Sequence, residues 1–173
     1  GFLPCWMQFN MSVSELPRID VNEVRGPADS ALDSLLGRYS FEDGAVLVQI
    51  PQVPPELVEH RVAKNRGYFA YPPHGLLYLG ATFRDLGIES TIVDLNYEVL
   101  RAAQVDGADL ERAWRQALDE AVAKYEQPVL CISFMFDPTY PQLLKICQYL
   151  KSHHPDLALI VGSVGATADP QRV

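Results

Sequence analysis

The sequence predicts an α/β fold, a doubly wound, Rossmann-like parallel sheet, on three observations. Four short apolar runs, Ala45 to Ile50, Thr91 to Leu95, Val129 to Phe136 and Leu157 to Val161, alternate with helix-patterned segments, the order that argues for parallel pairing. The first run is continuous and has the length and β-branched content of a strand buried on both faces. The stretch YPPHGLLYLGATFRDLGIESTIVDLN, Tyr71 to Asn96, reads as loop, helix, turn and buried strand in succession. That is half of such a sheet, whose ligands collect beyond the carboxyl ends of the strands.

Residues 1–44 read as an N-terminal extension and residues 45–173 as the α/β domain. The first ten residues, GFLPCWMQFN, precede a plausible initiator, Met11, and the sequence leaves their origin open. Ile19, Val21 and Val24 alternate until Gly26 and Pro27; Asp29 caps a short helix bearing Leu32, Leu35 and Leu36 and ended by Gly37. Glu42, Asp43 and Gly44 form a turn. An arm covering a sheet edge or a neighbouring domain and a partly mobile leader are both open readings of this extension.

Pro51, Pro54 and Pro55 end the first strand, and residues 52–70 make a connection long enough to be functional. Pro72 and Pro73 suit a helix entrance. Leu76, Leu77, Leu79, Phe83 and Leu86 are expected on that helix's apolar face, slimmed by Gly75, Gly80 and Ala81, with Gly87 as its left-handed terminator. After a turn at Asp106 and Gly107, Asp109 opens an amphipathic helix in which Trp114 is a packing residue. Cys131 sits in the third strand as a small buried hydrophobe. Asp137, Pro138 and Thr139 lead into a helix with Leu143, Leu144, Ile146, Cys147 and Leu150 inward, and the fourth strand runs into a tight polar loop, Gly162 to Thr167. A sheet of this kind ordinarily continues with a helix and a fifth strand. With the chain stopping at Val173, a domain cut before its last strand is expected, and an unpaired edge of that sort invites self-association.

Composition narrows the function classes. The chain has 173 residues, 48% of them hydrophobic, enough to fill a core. A net charge of -8, with Lys and Arg scattered, argues against a nucleic-acid partner. No apolar run approaches the ~20 residues of a membrane span, and the start lacks the flank and core of a signal peptide. Cys5, Cys131 and Cys147 are odd in number and lack metal-binding spacing, which fits a reducing cytoplasm rather than a disulfide framework or a Cys-only metal site.

The strand ends lack the common chemical signatures. The loop after the first strand, PQVPP, is not GxGxxG, and neither a GxxxxGK phosphate loop nor a GxSxG elbow is present. Acidic residues for a phosphoacceptor are missing after the first strand, although Asp137 follows the third. What remains is a pair of small, backbone-exposing turns on neighbouring strands, at Ser133 and at Gly162 with Ser163.

Together with ISFMFDPTYPQLLKICQYLK and LIVGSVGATADP, the Tyr71 to Asn96 stretch resembles the N-terminal cobalamin-binding domain of cobalamin-dependent radical S-adenosylmethionine enzymes. The resemblance covers roughly residues 45 to 170. In the wider cobalamin-binding family the turn after the third strand carries a Ser-x-Leu motif and that after the fourth a Gly-Gly motif, both touching the nucleotide tail. Ser133, Phe134 and Met135 stand at the first, with Met for Leu. Gly162 and Ser163 stand at the second, where Ser adds a side chain in the path of the tail; Val164, Gly165 and Thr167 follow in the same loop.

The family's DxHxxG motif, whose His coordinates cobalt from below, is absent after the first strand, a departure typical of the radical branch. The resemblance therefore implies a corrin often held without a protein ligand to the metal, its lower face resting on the Gln52 to His74 loop with Tyr68, Phe69 or Tyr71 nearby, and with Pro73 and His74 among the candidate contacts. A neutral imidazole at His74 is able to ligate a metal, but a His at a helix entrance also serves as a cap or faces solvent. Asp94 and Asn96 are candidates to hydrogen-bond corrin amides or tail hydroxyls, or are ordinary turn-formers. Asp137 and Thr139 are candidates for the same contacts, or helix caps.

The CxxxCxxC run that holds the iron-sulfur cluster in such enzymes has no counterpart in these three cysteines. No catalytic residue is assigned to this chain, which alone is not expected to cleave S-adenosylmethionine. The resemblance implies a larger parent whose radical barrel holds the iron-sulfur cluster and S-adenosylmethionine and acts as a methyltransferase or a cyclase. Two other readings are a domain that kept the fold, lost the cofactor and serves interaction or regulation, and a phosphoacceptor or flavin-type domain, for which the proline-rich first loop is poor material.

Overall fold

A computed structural model describes residues 40–171. The expected alternation and short helix of residues 19–37, and Cys5, lie outside the described residues. Strands β1 (Ala45–Gln49), β2 (Ser90–Asp94), β3 (Val129–Ser133) and β4 (Leu159–Gly162) form one parallel sheet in the order β2-β1-β3-β4. The helices are α1 (His60–Lys64), α2 (His74–Asp85), α3 (Leu95–Ala102), α4 (Leu110–Val122), α5 (Tyr140–His153) and α6 (Val164–Ala168). The fold class read from the sequence is thus the one observed.

Strand order dictates which helix covers which face. Chain order reverses at β1, with β2 on one side of it and β3 on the other, so the crossovers must run over opposite faces. On the first face Val46, Val48, Val93, Leu130 and Ile132 pack with Leu95, Val99, Trp114, Leu118, Leu143, Ile146 and Leu150 from α3, α4 and α5. On the second, Ala45 and Leu47 meet Leu76 of α2, with Leu79, Phe83, Ile92 and Cys131 partly buried around them. All five residues of β1 are buried, because it alone is sandwiched along its whole length.

Local signals explain most boundaries. Gly44, at φ 87°, closes the turn into β1 by donating its N–H to the Phe41 carbonyl at 3.0 Å. Gly87, at φ 76°, ends α2 in a paired cap: its N–H donates to Arg84 O at 3.0 Å and that of Ile88 to Phe83 O at 2.8 Å. The carboxylate of Asp109 accepts the Arg112 N–H at 3.0 Å and opens α4, where Trp114 is fully buried as expected.

Four expectations are corrected. The connection after β1, expected as one long ordered loop, instead holds a 3-10 turn at Pro55–Leu57 and the short α1. Helix α3 follows β2 without a loop, because Asp94 caps it and accepts the Tyr97 N–H at 3.0 Å. Gly162 to Thr167 is not a plain loop, since α6 begins within it. Finally, two apolar stripes are narrower than expected. Leu76, Leu79, Gly80 and Phe83 form the inward row of α2, leaving Leu77 and Leu86 exposed, and Leu144 of α5 is exposed beside buried Leu143.

Replacing Leu143 and Leu144 one at a time by Ala tests that helix register. Denaturant unfolding should show a loss of about 2–5 kcal/mol for Leu143→Ala and less than about 0.5 kcal/mol for Leu144→Ala. Equal losses would contradict the placement of α5.

Candidate functional site

Among the described residues, the second face of the sheet is only half covered. Helix α2 lies over β1 and β2, while the faces of β3 and β4 turned to the same side border a cavity of about 890 Å³. Cys131 and Ile160 form its floor, Leu76, Leu79 and Phe83 of α2 one wall, and Tyr71, Pro72, Pro73 and His74 part of its mouth. Ser133, Met135, Gly162 and Ser163 border the carboxyl edge, between the strands at which the chain order changes direction and their outer neighbour.

Strand alternation decides which expected site residues reach this cavity. Ser133 and Gly162 are register partners on adjacent strands, so both bends lie side by side on one face. An ideal Cβ at Gly162 would meet nothing within 4 Å, so the backbone there is open to close approach. Phe134, one residue on, points through to the first face, 1% exposed, with its ring 6.0 Å from that of Tyr140. Met135 then returns to the cavity and is 40% exposed. Gly165 backs onto Phe134, where a Cβ would stand 2.6 Å from Cε1, so it serves packing rather than the cavity.

The remaining candidates have local work that accounts for them. Asp94 caps α3, and burial raises its carboxyl pKa against the lowering effect of the Tyr97 and Asn96 N–H groups. Asn96 is buried and accepts the Gln52 N–H at 2.9 Å, tying the loop after β1 to α3. Thr139 donates its hydroxyl to Phe136 O at 2.7 Å within the 3-10 turn that Asp137 opens. Thr167 likewise donates to Ser163 O at 3.1 Å, and Val164 is exposed on α6. None of these five, nor Asp137, lines the cavity.

Gln52 lines the cavity from the loop expected to support the corrin, and other lining residues carried no earlier site assignment: Gln49, Cys131, Ile160, Phe41 and the inward row of α2. Gln49 was detectable as the one polar residue in the otherwise apolar Ala45 to Ile50 run. Burial pushes the Cys131 thiol up to about 11, so at neutral pH it stays protonated. No Lys, Arg, Asp or Glu lines the cavity among the described residues. The surface thus suits a large, mostly uncharged ligand that takes a few hydrogen bonds.

Residues 61–173 match the family model of the B12 binding domain, and the chain belongs to that family. Comparison with curated proteins and with solved structures gave no significant match. Membership supports cobalamin as the ligand, and the cavity suits part of it on two counts: a lining without charged side chains among the described residues, and open backbone at Gly162 beside the Ser133 hydroxyl.

Ser163 departs from the family's paired glycines at a conformation that suits glycine. Its φ of 82° and ψ of -176° fall in a region that side chains rarely adopt and that costs about 1–3 kcal/mol. Ser163→Gly should therefore raise the thermal midpoint of the protein by about 3–5 °C, for a gain near 1 kcal/mol. A lowered midpoint would mean that the hydroxyl makes a contact outweighing the strain.

Proposed function

We propose that this chain is the cobalamin module of a larger radical S-adenosylmethionine enzyme. The observation that carries the cobalamin seat is the pairing of two small-residue bends, Ser133 and Gly162, in register at the mouth of an 890 Å³ cavity that no charged side chain lines among the described residues. The nucleotide tail would lie against Ser133, Met135, Gly162 and Ser163, and the corrin against Tyr71, Pro73 and His74. When bound, the corrin supplies methyl transfer to an unactivated carbon or assists a ring-forming oxidation. The chain's own residues bind and orient it and keep water from its lower face.

The radical parent rests on the sequence resemblance across residues 45 to 170 and on the missing DxHxxG motif after β1. In such a parent the iron-sulfur cluster and S-adenosylmethionine belong to a barrel domain C-terminal to residue 173. A longer polypeptide without a CxxxCxxC run beyond that point would contradict this part of the reading.

Cobalamin seating is tested by adding hydroxocobalamin to the purified chain and following the corrin absorbance after desalting. The wild type should retain it. Gly162→Val should keep its fold, since the new side chain enters open space, yet lose retention at least about tenfold by obstructing the cavity. Equal retention by the variant would move the ligand elsewhere, and no retention by the wild type would remove cobalamin from the account.

A further inference from the structure

We infer that Gln49 reads the nucleotide tail of the corrinoid, as a specificity-determining residue; this rests on the cavity being the cobalamin seat. Gln49 is the last residue of β1 and only 5% exposed, yet it carries a carboxamide in the middle of the sheet. Its neighbours Val48 and Ile50 belong to the core of the first face, so alternation turns Gln49 to the second, where it lines the cavity. Its register partners are Asp94 on β2 and Ser133 on β3. Gln49 and Ser133 therefore stand next to each other at the point where strand order reverses, where ligands of such sheets gather.

The hydrogen bonding of Gln49 is incomplete. Nε2 donates only to the adjacent Ile50 carbonyl, at a long 3.4 Å, and Oε1 accepts no hydrogen bond from any described residue. Oε1 is not enclosed by protein but opens on the cavity, where water completes its bonds in the free protein and a ligand group takes that place on binding. With no charged side chain among the described lining residues, the group that completes them is best uncharged. A ribose hydroxyl of the tail donates to Oε1 and a ring nitrogen accepts from the second N–H of Nε2, whereas the phosphodiester belongs outside, at the mouth. A Gln placed only for packing would be replaceable by an apolar residue without any change in ligand preference.

The test compares cobalamin with cobinamide, which has the corrin but no base or ribose, on the wild type and on Gln49→Met, an unbranched side chain of similar length. Dissociation constants come from corrin absorbance under equilibrium dialysis, and the thermal midpoint of the unliganded protein reports its fold. The wild type should prefer cobalamin. Gln49→Met should bind cobalamin about five- to tenfold more weakly, leave cobinamide within about twofold, and melt no lower than the wild type. Should Gln49→Met fail to fold, Gln49→Leu is measured in the same way.

Parallel weakening of both corrinoids, or no change in either, would overturn the role of Gln49 while leaving the cavity as the seat. So would a wild type that binds both equally. Failure of the wild type to bind either one would remove the seat itself, and this inference with it.

Discussion

The reversal of strand order at β1 is the constraint on which the rest of this molecule depends. A parallel strand is reached only by a crossover, and crossovers of one hand on either side of β1 must run over opposite faces. Helices α3, α4 and α5 consequently gather on the first face and bury Trp114 and Phe134 there, while among the described residues α2 alone lies on the second. The uncovered half of that second face is the cavity. It is a product of connectivity before it is a product of any particular side chain.

The two-residue period of extended chain then sorts the chemistry. Gln49, Cys131, Ser133, Ile160 and Gly162 face the cavity because they occupy alternate positions of three neighbouring strands. Val48, Ile132 and Phe134 fill the opposite core by the same rule. The Ser-x-Met turn after β3 thus turns two residues to the cavity and one to the core, and Gly165 is small because Phe134 lies against it. Function and stability are divided within single tripeptides, so neither can be changed far without meeting the other.

Much of this was legible in the sequence. Continuous apolar runs marked the strands, and Gly87 and Asp109 marked helix ends by mechanisms that act locally, a positive φ and a side-chain cap. Residues such as Asp94 and Asn96 were harder, because a carboxylate at a strand end looks the same whether it awaits a ligand or caps the next helix. Helix α3 was missed for that reason: with only eight residues and no preceding loop, its apolar period is too short to stand out. Leu77 and Leu144 misled because leucine is common on exposed helix surface, and only the sheet decides which stripe faces inward. Membership of the B12 binding family rests on the match across residues 61–173.

The central claim is that cobalamin occupies the open half of the second face, at the carboxyl edge of β3 and β4. Backbone hydrogen exchange, measured with and without hydroxocobalamin, addresses it most directly. The account predicts slowed exchange at residues 133–136 and 162–165 and around the start of α2, with the exposed flank of α4 unchanged. Protection confined to α4 and α5, or none anywhere, would contradict it.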